Sequence, residues 1–175
     1  TAQTQTGVAT ILVEAGGENV IVAVPGANGT VAQADVDGAA PAGGDHVLLQ
    51  LEIPLDAVAA SLAAARQAGA TTLLNTAPFR AEAAALLGKA DYVVANETEF
   101  DLYARALSLA GAKREECMRD FAKRTGRAII VTLGGEGMLA AKGGDFLEVP
   151  AMKITPVDTV GAGDTFCGYL AQGLE

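Results

Sequence analysis

Segments typical of strands alternate with segments typical of helices along most of this chain, beginning at Val47. Each short apolar run is followed by a stretch in which apolar residues recur every three or four positions, the period of an amphipathic helix. Such alternation indicates parallel strands joined by right-handed helical crossovers. We therefore predict a doubly wound α/β fold, with a mainly parallel sheet and helices on both of its faces.

The periodicity also predicts the bounds of the individual elements. Strands are expected at 47–53, 70–75, 92–95 and 128–133, a hairpin at 137–142 and 146–149, and helices at 55–69, 80–87, 98–109, 113–125 and 165–174. Residues 35–44 are expected to form a loop, because glycine and proline interrupt any regular pattern there.

The first part of the chain does not follow the alternating scheme. Two β-branched runs, 7–14 and 19–24, flank the turn sequence Ala15-Gly16-Gly17-Glu18, which favours a hairpin. We predict two units: a hairpin with its connection at 1–28, and an α/β core at 29–175.

Composition excludes several classes of function. A net charge of −9 argues against nucleic acid or an anionic membrane as a partner, because both require basic surface patches. No apolar run approaches the roughly 20 residues needed to span a bilayer. Two cysteines without a C-x-x-C pair, and a single histidine, cannot form a zinc site. We expect a soluble, cytoplasmic protein with reduced cysteines.

Polar residues that follow strands are candidates for a ligand site, because ligands of parallel sheets bind beyond the carboxyl ends of the strands. Glu52 lies in the first apolar strand segment and either points to solvent or faces a polar ligand such as a sugar hydroxyl. Asn96 and Glu99 follow the third strand. They form either a capping box for the next helix or a site for phosphate and Mg²⁺.

Two glycine-rich segments complete the set of candidates. Thr132-Leu133-Gly134-Gly135-Glu136-Gly137 either offers backbone amides to phosphate oxygens or forms a tight turn into the hairpin. Gly161-Ala162-Gly163-Asp164 offers amides and a carboxylate at a predicted helix start. Asp164 is either a simple helix N-cap or an acceptor for a hydroxyl proton in phosphoryl transfer.

The order of these motifs along the chain is specific. V-D-T-V-G-A-G-D-T-F at 157–166 follows N-E-T-E at 96–99 and T-L-G-G-E-G at 132–137. With L-L-Q-L-E at 48–52, N-T-A-P at 75–78 and the leading hairpin, the chain resembles the ribokinase branch of the PfkB-type carbohydrate kinases. The resemblance covers essentially all 175 residues.

The resemblance implies a reaction. The γ-phosphoryl group of ATP would be transferred to the primary hydroxyl of D-ribose, with Mg²⁺ as cofactor and K⁺ as activator. Other members of the family act on fructose, ketodeoxygluconate or nucleosides, and these substrates stay open, as does a non-catalytic nucleotide-binding protein of the same fold. A dinucleotide-binding Rossmann domain is disfavoured, because no G-x-G-x-x-G pattern follows the first strand.

The resemblance also implies residue roles around the reacting groups. Asp164 would be the catalytic base in contact with the substrate, and Glu52 would bind the sugar. The amides of Gly161, Ala162 and Gly163 would form an anion hole.

Further roles concern the nucleotide and the cations. The nucleotide phosphates would contact Asn96, Thr132, Leu133, Gly134, Gly135, Glu136, Gly137 and Gly163. Glu99 would organise Mg²⁺, through water, while Asp158 and the Val160 carbonyl would bind K⁺. The leading hairpin would be part of a β lid through which family members form homodimers.

Parts of the family pattern do not occur in this sequence. They are the first strands, the rest of the lid, a glycine-rich sugar-binding motif, the adenine-binding loop and the remaining cation ligands. The resemblance therefore predicts that the chain is an internal part of a longer kinase.

Overall fold

The computed structural model describes residues 4–13, 19–156 and 158–174 in two sheets. The first sheet is an antiparallel hairpin of β1 (Val8–Val13) and β2 (Asn19–Val24). The predicted turn at 15–18 and Val157 of the last motif lie outside the described residues.

The second sheet has six strands whose spatial order is their order in the chain. They are β3 (His46–Leu49), β4 (Thr71–Asn75), β5 (Tyr92–Asn96), β6 (Ala128–Thr132), β7 (Gly137–Lys142) and β8 (Asp145–Pro150). The pairs from β3 to β6 are parallel, whereas β7 and β8 are added antiparallel.

The helices of the described chain are α1 (Gln33–Ala39), α2 (Leu55–Ala68), α3 (Ala84–Leu87), α4 (Glu97–Ala106), α5 (Arg114–Thr125) and α6 (Ala162–Gln172). Both cysteines are free thiols, Cys117 in α5 and Cys167 in α6, as expected. Among the described residues, no helix combines the length and the apolar character that a membrane span requires.

Successive residues of the central strands point to opposite faces of the sheet, as the pleat demands. Val93 and Ala95 of β5 belong to the main core, together with buried residues of α2, α4 and α5. Val94, between them, packs with Cys167 of α6 on the other face. Helices therefore cover both faces of a mixed sheet, which confirms the predicted fold class.

One helix contradicts the prediction of a loop. Helix α1 (Gln33–Ala39) covers the first half of the expected loop 35–44, and its buried residue is Val36. The Asp35 carboxylate accepts a hydrogen bond of 2.9 Å from the Ala32 N–H and so pairs one of the free amides of the helix start. A short segment with one buried residue carries too little periodicity for the pattern to reveal it.

Several element bounds also differ from the predictions; α4, for example, ends at Ala106 and not at 109. Strand β3 ends at Leu49, because the chain then bends and the Leu51 N–H donates to the Ala77 carbonyl instead of pairing within the sheet. The predicted helix 80–87 is a 3-10 turn, Ala81–Ala83, followed by the four-residue α3. Helix α6 begins at Ala162, three residues earlier than expected, which places Asp164 inside the helix.

Candidate active site

The polar ends of β5 and β6 lie side by side at the carboxyl edge of the sheet. Asn96 and Thr132 are Cα partners in the parallel pairing of these strands. The Thr132 hydroxyl reaches back to the Ala95 carbonyl at 3.4 Å. The N-E-T-E and T-L-G-G-E-G segments, well separated in sequence, therefore begin next to each other.

The glycine-rich segment after β6 forms a tight turn into β7, one of its two interpretations. Residues Gly134–Glu136 form a 3-10 turn, and the Leu133 N–H donates to the Gly137 carbonyl at 2.8 Å. Gly137 has φ +115°, and a Cβ added to it would lie 2.0 Å from the Val149 carbonyl oxygen. Only glycine fits this position, since a side chain would collide with the backbone of β8.

The start of α6 exposes backbone donors. Gly161, with φ +74°, is the N-cap, so the interpretation of Asp164 as an N-cap is wrong; Asp164 is the third helical residue, and its side chain is exposed. The Ala162 N–H donates to the Thr159 carbonyl at 3.2 Å. Within the described part of the chain, the N–H groups of Gly163 and Asp164 have no partner. Free amides at a helix start favour an anion.

A single cavity of about 440 Å³ joins the glycine turn to the start of α6. It is lined by Thr132, by the glycines Gly134, Gly137 and Gly163, and by the apolar residues Met138, Val149, Pro150, Ala151, Ala162 and Phe166. This volume is within the range of small-molecule sites. The sequence did not indicate the apolar wall, because these residues lie in or directly after predicted strands and helices and carry no motif of their own.

Asn96 and Glu99 form the capping box that the spacing allowed. The Asn96 side-chain oxygen accepts from the Glu99 N–H at 2.8 Å, and Glu99 Oε2 accepts from the Asn96 N–H at 3.1 Å. Glu99 is a buried carboxylate, and its Oε2 also accepts a hydrogen bond of 3.1 Å from the Thr76 hydroxyl. Sequence reasoning missed Thr76 as part of this site, because nothing in N-T-A-P announces a partner so distant in the chain.

The carboxylates of Glu99 in α4 and Asp164 in α6 both influence Cys167 of α6. Burial raises the pKa of the Cys167 thiol, and the negative charges of Asp164 and Glu99 raise it further. Both carboxylates are therefore within electrostatic reach of one buried side chain, although they belong to different helices.

Glu52 lies at a different cavity. It is exposed in the bend after β3 and lines a space of about 380 Å³ between the hairpin β1–β2 and the carboxyl edge of the sheet. Arg80, which lines the same space, donates to the Ile53 carbonyl at 3.3 Å. Glu52 thus faces a cleft, but the structure does not bring it into the cavity at α6.

The predicted ligands for K⁺ and Mg²⁺ differ in the number of oxygen atoms that they can supply. Asp158 Oδ1 accepts from the Val160 N–H at 2.8 Å, a local turn that leaves Asp158 Oδ2 and the Val160 carbonyl as potential ligands. Two oxygens do not make a K⁺ site by themselves. Among the described residues, no group of three or more His, Cys, Asp or Glu side chains could hold a metal ion. A lone carboxylate such as Glu99 still suits Mg²⁺, which keeps several waters and binds mainly to substrate phosphates.

Comparison with known proteins identifies the family. The model of the pfkB family of carbohydrate kinases matches residues 1–175. The chain belongs to this family.

Relatives of the chain include sugar kinases of known type. A ribokinase of Staphylococcus aureus (strain COL) is 38% identical, and the match covers 100% of this chain and 58% of the relative. A deoxyribokinase of Salmonella typhimurium is 33% identical, with 97% and 56% covered. The structure of an Arabidopsis thaliana ribokinase complexed with ribose and ATP superposes with a TM-score of 0.74 at 28% identity, covering 98% of this chain and 58% of that one. The chain thus spans little more than half the length of these relatives.

Proposed function

We propose that the complete protein is an ATP-dependent sugar kinase that transfers the γ-phosphoryl group of ATP to the primary hydroxyl of D-ribose. The observation that carries the proposal is the single cavity shared by the glycine turn and the start of α6, with the free amides of Gly163 and Asp164 beside it. The family membership and the ribokinase relatives support the reaction class.

In this proposal the nucleotide phosphates lie in the cavity of about 440 Å³, between the turn and α6. The glycines let phosphate oxygens approach the backbone closely, because Gly134 and Gly163 have open space where a Cβ would stand. The free N–H groups of α6 stabilise the negative charge of the phosphoryl group during transfer. Asn96, beside Thr132, borders the same edge and contacts the phosphates.

Asp164 is the proposed base. It accepts the proton of the sugar hydroxyl as that oxygen forms a bond to the γ-phosphorus and the bond to the bridging oxygen of ADP breaks. In a loose phosphoryl-transfer transition state, positioning matters more than basicity, so an exposed carboxylate can serve. The sugar itself would lie toward Glu52, under the hairpin β1–β2.

Glu99 would hold Mg²⁺ through water with its Oε1 atom, because Oε2 already accepts hydrogen bonds from the Thr76 hydroxyl and the backbone N–H of Asn96. When bound, the ion would neutralise charge on the phosphates. Asp158 and the Val160 carbonyl would supply part of a K⁺ site, whose other ligands would come from elsewhere in the complete protein.

We further propose a homodimer formed through the hairpin β1–β2. Its exposed apolar side chains support this proposal, among them Val8, Leu12, Ile21 and Val24. Two-stranded hairpins are only marginally stable alone, so a partner sheet would stabilise this one. A cytoplasmic location, where ATP is abundant and thiols stay reduced, fits the two free cysteines.

The test is ADP release by the complete protein with ribose, deoxyribose, fructose, ketodeoxygluconate and inosine, each with and without K⁺. We expect the highest kcat/KM with ribose and stimulation by K⁺. A clear preference for deoxyribose, which the deoxyribokinase relative makes the second candidate, would replace the substrate but keep the reaction. Absence of turnover with every acceptor, together with absence of ATP binding, would overturn the proposal.

A further inference from the structure

A buried hydrogen bond connects the segment after β4 to the carboxylate at the start of α4. Thr76 has no exposed surface, and its hydroxyl donates to Glu99 Oε2 at 3.1 Å. The backbone of Thr76 is itself fixed, because its N–H donates to the Val94 carbonyl at 2.9 Å. The donor therefore cannot move without disturbing the pairing beside β5.

This bond restricts the Glu99 carboxylate in a way that the capping box alone does not. Oε2 accepts from both the Asn96 N–H and the Thr76 hydroxyl, whereas Oε1 takes part in neither bond. Two donors that converge on one oxygen fix the rotation of the carboxylate. They also compensate for the removal of the charge from water, which is costly without such partners.

We propose that Thr76 is a positioning residue that orients Glu99, so that its second oxygen serves the water shell of the Mg²⁺–nucleotide complex. The inference rests on the proposed function, in which Glu99 binds Mg²⁺ through water, and it explains how the carboxylate is held in the orientation for that role. Partners that orient a metal-binding group commonly contribute 10-fold to 100-fold to metal affinity.

The chain contains a matched control in β4, the strand that precedes Thr76. Thr72 is also buried, and its hydroxyl donates to the Asp91 carboxylate at 2.8 Å. That pair lies at the opposite end of β4, where the Asp91 carboxylate also forms an ion pair with Arg127. Removing the Thr72 hydroxyl deletes a hydrogen bond of the same type, and also the bond of 2.8 Å that it accepts from the Asp91 N–H, at the end of β4 away from the candidate site.

The experiment compares Thr76→Val, Thr76→Ser and Thr72→Val in the complete protein. Binding of Mn²⁺, as a probe for Mg²⁺, is titrated by electron paramagnetic resonance with a non-hydrolysable ATP analogue present, and thermal unfolding is recorded for each variant. We expect Thr76→Val to weaken Mn²⁺ binding about 10-fold. Thr76→Ser should retain the affinity because it keeps the hydroxyl, and Thr72→Val should lower the unfolding temperature without changing Mn²⁺ binding.

Three results would overturn the inference: unchanged Mn²⁺ affinity in Thr76→Val, an equal loss in Thr72→Val, or no Mn²⁺ binding by the unaltered protein. A separate assay of ADP release by the unaltered protein tests the proposed function. Mn²⁺ binding that depends on the Thr76 hydroxyl, in a protein that phosphorylates no sugar, would refute the kinase proposal and leave the positioning role standing.

Discussion

Asn96 and Thr132 occupy paired positions at the carboxyl ends of the neighbouring parallel strands β5 and β6. Asn96 starts the capping box of α4, and Thr132 borders the cavity that reaches the start of α6. Parallel pairing thus brings the starts of two polar loops to one edge of the sheet, the edge at which open α/β proteins bind ligands.

Replacing Asp164 with asparagine removes the proposed base but keeps the shape of the side chain. We expect kcat for ADP release to fall by about 10²-fold to 10⁴-fold, the usual contribution of a positioned base. The KM for ATP should change little, because the free amides of α6 remain. Asp145→Asn, at the exposed hairpin between β7 and β8, is the control and should keep full turnover. Near-normal kcat in Asp164→Asn would remove Asp164 from the chemistry.

Substitution of two glycines of α6 tests the approach of a ligand separately from the stability of the helix. Gly163 lines the cavity and Gly168 does not, and an added Cβ would meet nothing within 4 Å at either position. Alanine favours a helix over glycine by roughly 0.5–1 kcal/mol, so neither variant should lower the unfolding temperature. Gly163→Ala should raise the KM for ATP about 10-fold, because the methyl group narrows the approach of phosphate to the backbone.

The matched variant Gly168→Ala should keep the KM for ATP unchanged. Steady-state kinetics and thermal unfolding on the two proteins provide the comparison. Equal KM values in both variants would argue that phosphates do not approach α6 at Gly163.

The glycine turn contains one position where a side chain is sterically excluded. Gly137 combines φ +115° with a Cβ position 2.0 Å from the Val149 carbonyl oxygen. Gly137→Ala should therefore destabilise the protein by about 1–3 kcal/mol or more, the cost of a strained backbone together with displacement of β8. Gly135→Ala, which points into open space, should leave stability nearly unchanged. Chemical denaturation measures both, and equal stability would contradict the packing of this turn.

The pKa of the Cys167 thiol depends on the negative charges at the candidate site. Its pKa is raised above the ordinary value of 9.0 by burial first, and then by Asp164 and Glu99. A raised thiol pKa keeps the neutral form at pH 7–9, and only the thiolate reacts with iodoacetamide. In a Cys117→Ser background we expect slow alkylation at neutral pH, with a midpoint above pH 9.0.

Adding Asp164→Asn to that background should move the alkylation midpoint to lower pH, because one of the negative charges that oppose the thiolate is gone. Alkylation rates followed by mass spectrometry over a range of pH provide the measurement. A midpoint that does not respond to Asp164→Asn would place the carboxylate out of reach of Cys167.

The sequence predicted most of the architecture from local signals. Apolar periodicity located the strands and the longer helices, and the spacing from Asn96 to Glu99 announced the capping box. Those signals failed where the apolar pattern was short, and where more than one nearby residue could be the cap of a helix. Val36 is the buried residue of α1. Helix α6 is capped by Gly161 in a left-handed conformation, so Asp164 lies inside the helix and not at its cap.

By itself, then, the sequence determined the α/β class, the order of the motifs and the residue types at the candidate site. Only the tertiary structure decided that the glycine turn and the start of α6 share a cavity, that Glu52 faces a separate cleft, and that Thr76 holds Glu99. The reason is physical: periodicity along a chain reports which face of an element is apolar. Contacts between distant elements depend instead on how the strands pair and on where each loop returns to the sheet.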